Sequence, residues 1–198
     1  MTVELIWQGP VGPGRFPDDP LIFENLCEAG VYLRIKTYDN DRTIAYAGQS
    51  VSLLARFDQH LAAMLSLASP LRDADGNVVF SGDAGARIDA YGRLADATAL
   101  AAADVGRVRF WYAQCDDYFH TEHLNLVEGL LQRRIAVRLS DVENAKAAPG
   151  AMPGAMPDDV PDIWVNDFSG LDDVGKNLLQ DLLGDTPMTL DMLAGHAA

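Results

Sequence analysis

"GVYLRIKTYDNDRTIAYAGQSVSLLARFDQH", residues 30–60, is the stretch from which the fold is read. Val31, Leu33 and Ile35 alternate with Tyr32, Arg34 and Lys36, the period of a strand with one buried face, which sets Tyr32 beside two cations. "TYDNDR" carries the Asp and Asn signals of a turn, and "TIAYAG" reads as a second short strand, so 30–48 is expected to form a β-hairpin. After Gly48, Ser50 or Ser52 can cap a helix in which Leu54, Phe57, Leu61, Leu65 and Ala68 recur at threes and fours. Arg56 and His60 fall about 40° apart on a helical wheel, nearly opposite that stripe, and so project together.

Further along, "GRVRFWYAQC" (106–115) has the β-branched and aromatic content of a third strand, with Arg107, Arg109 and Trp111 on one face. Thr121 is expected to cap a helix whose stripe is Leu124, Val127, Leu131 and Ile135. Glu128 lies inside that apolar arc, where a carboxylate requires a partner. Residues 69–106 form an insert with turns at "DADGN" and "SGDAG" and an Ala-rich helical piece near "YGRLADATALAAAD". That insert reads as a lid, a substrate contact or decoration.

The flanks differ from this core. Residues 1–29 mix Gly and Pro with isolated apolar side chains and read as an N-terminal arm ending in a short amphipathic piece. Residues 145–161 repeat GAMP and carry four prolines, the composition of a linker. Residues 162–198 form an acidic amphipathic segment with Trp164, Phe168, Leu171, Leu178 and Leu182 as its apolar stripe. Such a segment needs a surface to cover, either on its own chain or on a second subunit of a homodimer.

The 198 residues are 48% apolar, enough for one domain with a core. No apolar run reaches the length of a membrane span, and the first residues lack the pattern of a secretory signal, so a soluble, cytoplasmic protein is expected. Two cysteines, Cys27 and Cys115, argue against a disulfide framework or a four-ligand zinc site. The net charge of -14 argues against a protein that coats nucleic acid. The average hides an asymmetry, because residues 141–198 hold eleven acids against Lys146 and Lys176. Before residue 141 the bases are twelve arginines and Lys36, and arginine grips phosphate through two parallel hydrogen bonds. Asp116, Asp117, His120 and His123 match no defined ligand spacing, and "GPVGPG" lacks the lysine and hydroxyl residue of a phosphate-binding loop.

Gly30-Val31-Tyr32, Tyr46-Ala47-Gly48, Arg56 ten residues past Tyr46, His60 one turn later and Glu128 on a later helix together resemble the GIY-YIG nuclease superfamily, over roughly 29–65 and 107–144. The spacer from Tyr32 to Tyr46 is longer than usual, Ala47 stands where a larger aliphatic residue is common, and the 69–106 insert has no counterpart in the minimal domain. The resemblance implies an α+β domain over 30–144: a small three-stranded antiparallel sheet flanked by helices, with the insert and the acidic helical tail added. It implies hydrolysis of DNA phosphodiester bonds by water attack. Glu128 would be the sole protein ligand of Mg²⁺ or Mn²⁺, Tyr32 or Tyr46 would deprotonate or orient the water, Arg56 would clamp the scissile phosphate, and His60 would hydrogen-bond a tyrosine hydroxyl or the phosphate. Arg34, Lys36 and Arg56 would supply the positive charge that makes a tyrosine a usable base. Arg34, Lys36, Arg109, Arg133 and Arg134 are the expected DNA contacts, with Gly30, Gly48 and Asn144 in supporting positions. The competing reading is a catalytically silent protein of the same fold that binds partners through its acidic tail.

Overall fold

A computed structural model of the chain describes residues 1–15, 20–139 and 160–194, and most of the expected linker and Asn144 fall outside these. In chain order the elements are β1 (Thr2–Ile6), β2 (Gln8–Val11), α1 (Pro20–Cys27), β3 (Gly30–Thr37), β4 (Thr43–Ser50), α2 (Leu53–Leu65), β5 (Leu71–Arg72), β6 (Val78–Phe80), α3 (Ala84–Tyr91) and α4 (Leu94–Gly106). There follow β7 (Val108–Gln114), a 3₁₀ turn at Thr121–His123, α5 (Leu124–Arg138), β8 (Ile163–Asp167), α6 (Asp173–Leu183), β9 (Met188–Thr189) and α7 (Asp191–Ala194). The class is α+β, and no described helix is long and apolar enough to cross a membrane.

The hairpin of residues 30–50 forms as its alternation implies, with Tyr32 opposite Gly48 and Arg34 opposite Tyr46. It belongs to a four-stranded antiparallel sheet of order β2-β7-β3-β4, so β4 is an edge strand. Four strands replace the expected three because part of the N-terminal arm, Gln8–Val11, pairs along β7. Gly9 and Pro10 within that short strand read as turn punctuation in the sequence, which concealed it.

A second correction concerns burial. The hairpin was expected to bury one face, yet all of β3 except Thr37 is buried. Val31, Leu33 and Ile35 pack with Ala45, Ala47 and the α5 residues Val127, Leu130 and Leu131. On the other face Tyr32 packs with Phe57 of α2 and with Phe110 and Tyr112 of β7. Helices cover both faces, so Arg34 and Lys36 are enclosed as well.

Lys36 therefore needs a local counter-ion, and the insert supplies it. Asp104 of α4 accepts from Lys36 Nζ at 2.9 Å and from the Tyr38 hydroxyl at 3.0 Å, in a fully buried setting. The backbone N–H of Arg72 also reaches this carboxylate, at 3.3 Å. The insert is thereby joined to the central strand through charge as well as through the apolar contacts of Ala101 and Val105.

The two flanks pair with each other. β1 runs parallel to β8, with Val3 opposite Trp164, and β9 adds antiparallel to β8 in a second, three-stranded sheet. Trp164, Leu179, Leu182, Leu183 and Met188 lie in the same apolar cluster as Leu33 and Trp111. The acidic segment is thus part of the main core. In α2 the cap is Ser52, and the buried residues are Leu53, Phe57 and Met64; Leu65 and Ala68, counted in the expected stripe, are exposed. The start of α5 also differs from expectation: His123 Nδ1 accepts from the His120 N–H at 3.3 Å, and Thr121 makes no cap.

Candidate active site

The two tyrosines converge because antiparallel register sets Tyr32 and Tyr46 on neighbouring strands, diagonally across one face. Their rings stack with centroids 6.0 Å apart. Gly48 makes this approach possible, since a Cβ at that position would collide with the Tyr32 hydroxyl and lie 2.8 Å from Tyr46 Cε1. Gly30 has a different function: a side chain there would run into the β7 backbone at Ala113 and Gln114. Gly48→Ala is expected to separate the rings and cost about 1–3 kcal/mol, the range for overpacking a filled site. Urea unfolding together with the near-ultraviolet circular dichroism of the tyrosines measures both effects.

α2 brings His60 over this pair. Its Nε2 lies 2.7 Å from the Tyr32 hydroxyl, and its ring meets Tyr46 edge-on with centroids 5.3 Å apart. Arg34 places its guanidinium carbon 5.2 Å from the centre of the Tyr46 ring, in cation–π contact. Arg56 stands close enough for its charge to act on Tyr32, His60 and Glu128 alike. Its Nε is buried and has no hydrogen-bond partner among the described residues. Glu128 comes from α5, which packs on the opposite face of the sheet against edge strand β4. Gln132 Nε2 donates to Glu128 Oε1 at 3.2 Å and to the carbonyl of Ala47 at 3.4 Å.

The electrostatics correct one expectation. Neighbouring cations were expected to make Tyr32 or Tyr46 more acidic, yet the Tyr32 hydroxyl is held well above the ordinary tyrosine range. Burial is the main cause and the nearby Tyr46 adds to it, while Arg56 and Arg34 oppose them without prevailing. Tyr32 is therefore a protonated hydroxyl. His60 is depressed to about 3 by burial first, then by Arg34 and Arg56, so its imidazole is neutral at physiological pH. The Glu128 carboxyl is raised by burial and partly offset by Arg56.

A histidine with a lowered folded pKa binds fewer protons when folded than when unfolded, from the ordinary imidazole value of about 6.5 down to its folded value. Its contribution to stability is present above that window and is lost as pH falls through it. His60→Gln should consequently lose less stability than the wild type between pH 7 and pH 5. Urea titrations of both proteins at the two pH values check this, and equal losses would contradict the depressed imidazole.

Other expected site residues are placed differently. Lys36 is committed to buried Asp104 and cannot reach a DNA backbone. Arg109 donates to the carbonyls of Gly106 and Val108 at the start of β7. Arg133 donates to the Met192 carbonyl, and Arg134 to the Thr186 hydroxyl and to the carbonyls of Thr186 and Pro187. Arg138 reaches the Asp181 carbonyl at 3.1 Å. These α5 arginines fasten the C-terminal segment, so of the five expected DNA contacts Arg34 alone stands at the tyrosine pair. Asp116 accepts from the N–H groups of Tyr118 and Phe119, and His123 faces Trp164.

Two neighbours of the site were missed. Gln132 follows Glu128 by one helical turn, a spacing visible in the sequence. Gln49 Nε2 donates to Asn125 Oδ1 at 3.3 Å, a cross-element contact with no local signal. No protein-family model matches this sequence, and no curated protein or solved structure matches it either.

Proposed function

We propose that this protein is a metal-dependent endonuclease of the GIY-YIG kind, hydrolysing DNA phosphodiester bonds around a β7-β3-β4 core. The observation that carries the reading is the clustering of Tyr32, Tyr46 and His60 on one face of the β3-β4 pair, with Arg56 close enough for its charge to act on Tyr32 and His60 and on Glu128 of α5.

The donor set fits a hard divalent cation. Gln132 occupies Oε1 of Glu128, and the second carboxylate oxygen accepts no hydrogen bond among the described residues. One carboxylate oxygen, completed by waters and phosphate oxygens, is a usual Mg²⁺ environment. Bound there, Mg²⁺ or Mn²⁺ would supply Lewis-acid stabilisation of charge on the phosphate and the leaving 3′ oxygen.

The remaining work belongs to side chains of this chain. Arg56, with its unpaired Nε, and Arg34 present positive charge to a phosphate beside the tyrosines. In the tautomer of neutral His60 that carries its hydrogen on Nδ1, the Tyr32 hydroxyl donates to Nε2, which leaves a lone pair on the phenolic oxygen to accept from an attacking water. As the water loses its proton to Tyr32, the Tyr32 proton passes to His60, so Tyr32 never needs to become a free phenolate. A phosphate between Arg34 and Arg56 offsets the charges that hold His60 down, and this eases that transfer. Tyr46, on the strand edge and held by Arg34, orients the water or phosphate.

Incubating purified protein with supercoiled plasmid and Mg²⁺ or Mn²⁺ tests the reading. Nicked circles that depend on the cation support it, and intact plasmid across both cations and a range of DNA substrates removes it.

A further inference from the structure

Asn125, Glu128 and Gln132 lie at i, i+3 and i+7 on α5, one stripe directed at edge strand β4. On either side of Glu128 the stripe is joined to the sheet by amide hydrogen bonds: Asn125 to Gln49, and Gln132 to the Ala47 carbonyl. Gln132 is half-buried, and both hydrogens of its amide are used, one on the strand and one on Glu128 Oε1.

A half-buried glutamate that carries a cation on a single oxygen must not rotate. Without a restraint, the carboxylate could turn either oxygen, or both, toward the cation and the phosphate. A donor fixed to the backbone of the adjacent strand removes that freedom, because the Ala47 carbonyl lies in the sheet between the residues that place the two tyrosines. We infer that Gln132 is a positioning residue: it ties Glu128 to the tyrosine-bearing strand through Oε1 and presents the other oxygen to the divalent cation and the phosphate. This rests on the reading of Glu128 as metal ligand given above. Groups of this kind, bonded to a ligand but not to the metal, typically account for about 10- to 100-fold in metal affinity.

The groups facing Glu128 are Gln132 on its own helix and Arg56 from α2. Two measurements on Gln132→Met, which keeps length and removes the donor, test the assignment. In protein without DNA, the Mn²⁺ dissociation constant read by electron paramagnetic resonance should rise about 10- to 100-fold over the wild type. In the plasmid assay, the Mg²⁺ concentration for half-maximal nicking should rise about 10- to 100-fold, with a smaller change in the rate at saturating Mg²⁺. Should Gln132→Met fail to fold, Gln132→Asn, whose amide is one methylene short of the bridge, is read in the same way.

An unchanged Mn²⁺ affinity, or an unchanged Mg²⁺ dependence in a folded variant, overturns the inference. Loss of the nuclease reading is distinguishable from this, because it appears as an inert wild type or as Glu128→Gln cutting like the wild type. In that event the metal-positioning role is overturned.

Discussion

Asp104→Ala is expected to cost about 3–5 kcal/mol, because it removes the carboxylate that pairs with the buried Lys36 ammonium. Both partners are enclosed, with side-chain exposures of 3% for Lys36 and 0% for Asp104, so water cannot replace the lost carboxylate cheaply. The Tyr38 hydroxyl and the Arg72 N–H lose an acceptor in the same step. Set against an ordinary domain stability of about 5–15 kcal/mol, the change removes much of the margin. It should lower the melting temperature by about 6–20 °C for a chain of this size. Differential scanning calorimetry measures it, and a shift of only a degree or two would mean that Lys36 is solvated. Because Asp104 belongs to α4, the result also tests whether residues 69–106 are an integral part of the domain rather than a detachable lid.

The largest expected effect on activity comes from Glu128. Glu128→Gln keeps the size and the apolar neighbours of α5 while removing the negative charge that would hold a cation. Nicking should fall by about 10³-fold or more, the consequence of losing several kcal/mol of charge stabilisation in the transition state. Stability should not fall with it, since burial already raises the pKa of this carboxyl, meaning that the ionised side chain is disfavoured where it sits. A variant that is inert yet melts no lower than the wild type separates a catalytic requirement from a folding one.

The legible and illegible parts of this molecule divide along physical lines. The β3–β4 hairpin and the helices α2 and α5 follow from periodicity and turn signals, and β7 from its β-branched and aromatic content, all of which are local. The candidate site was legible for a related reason: Tyr32, Tyr46, Arg56 and His60 lie within 29 residues on elements whose register is local, and Glu128 betrayed itself as a carboxylate inside an apolar arc. Pairings between distant segments left no such trace. Nothing in Val3 or Trp164 announces that they sit opposite each other in parallel strands. The basic residues misled for a similar reason. A cation on a strand or helix carries no sign of its partner, and the acceptors chosen by Arg109, Arg133 and Arg134 are largely backbone carbonyls, which every residue offers. Lys36 found its acid on the insert, 68 residues away.

The account rests on a single phosphate being held among Tyr32, Tyr46, Arg34, Arg56, His60 and a cation on Glu128. The most direct test compares wild type and Glu128→Gln on supercoiled plasmid over a Mg²⁺ titration, with both proteins verified as folded. Wild-type nicking that rises and saturates with Mg²⁺, absent from the variant, is the predicted result; equal nicking by the two proteins, or none by either, would contradict it.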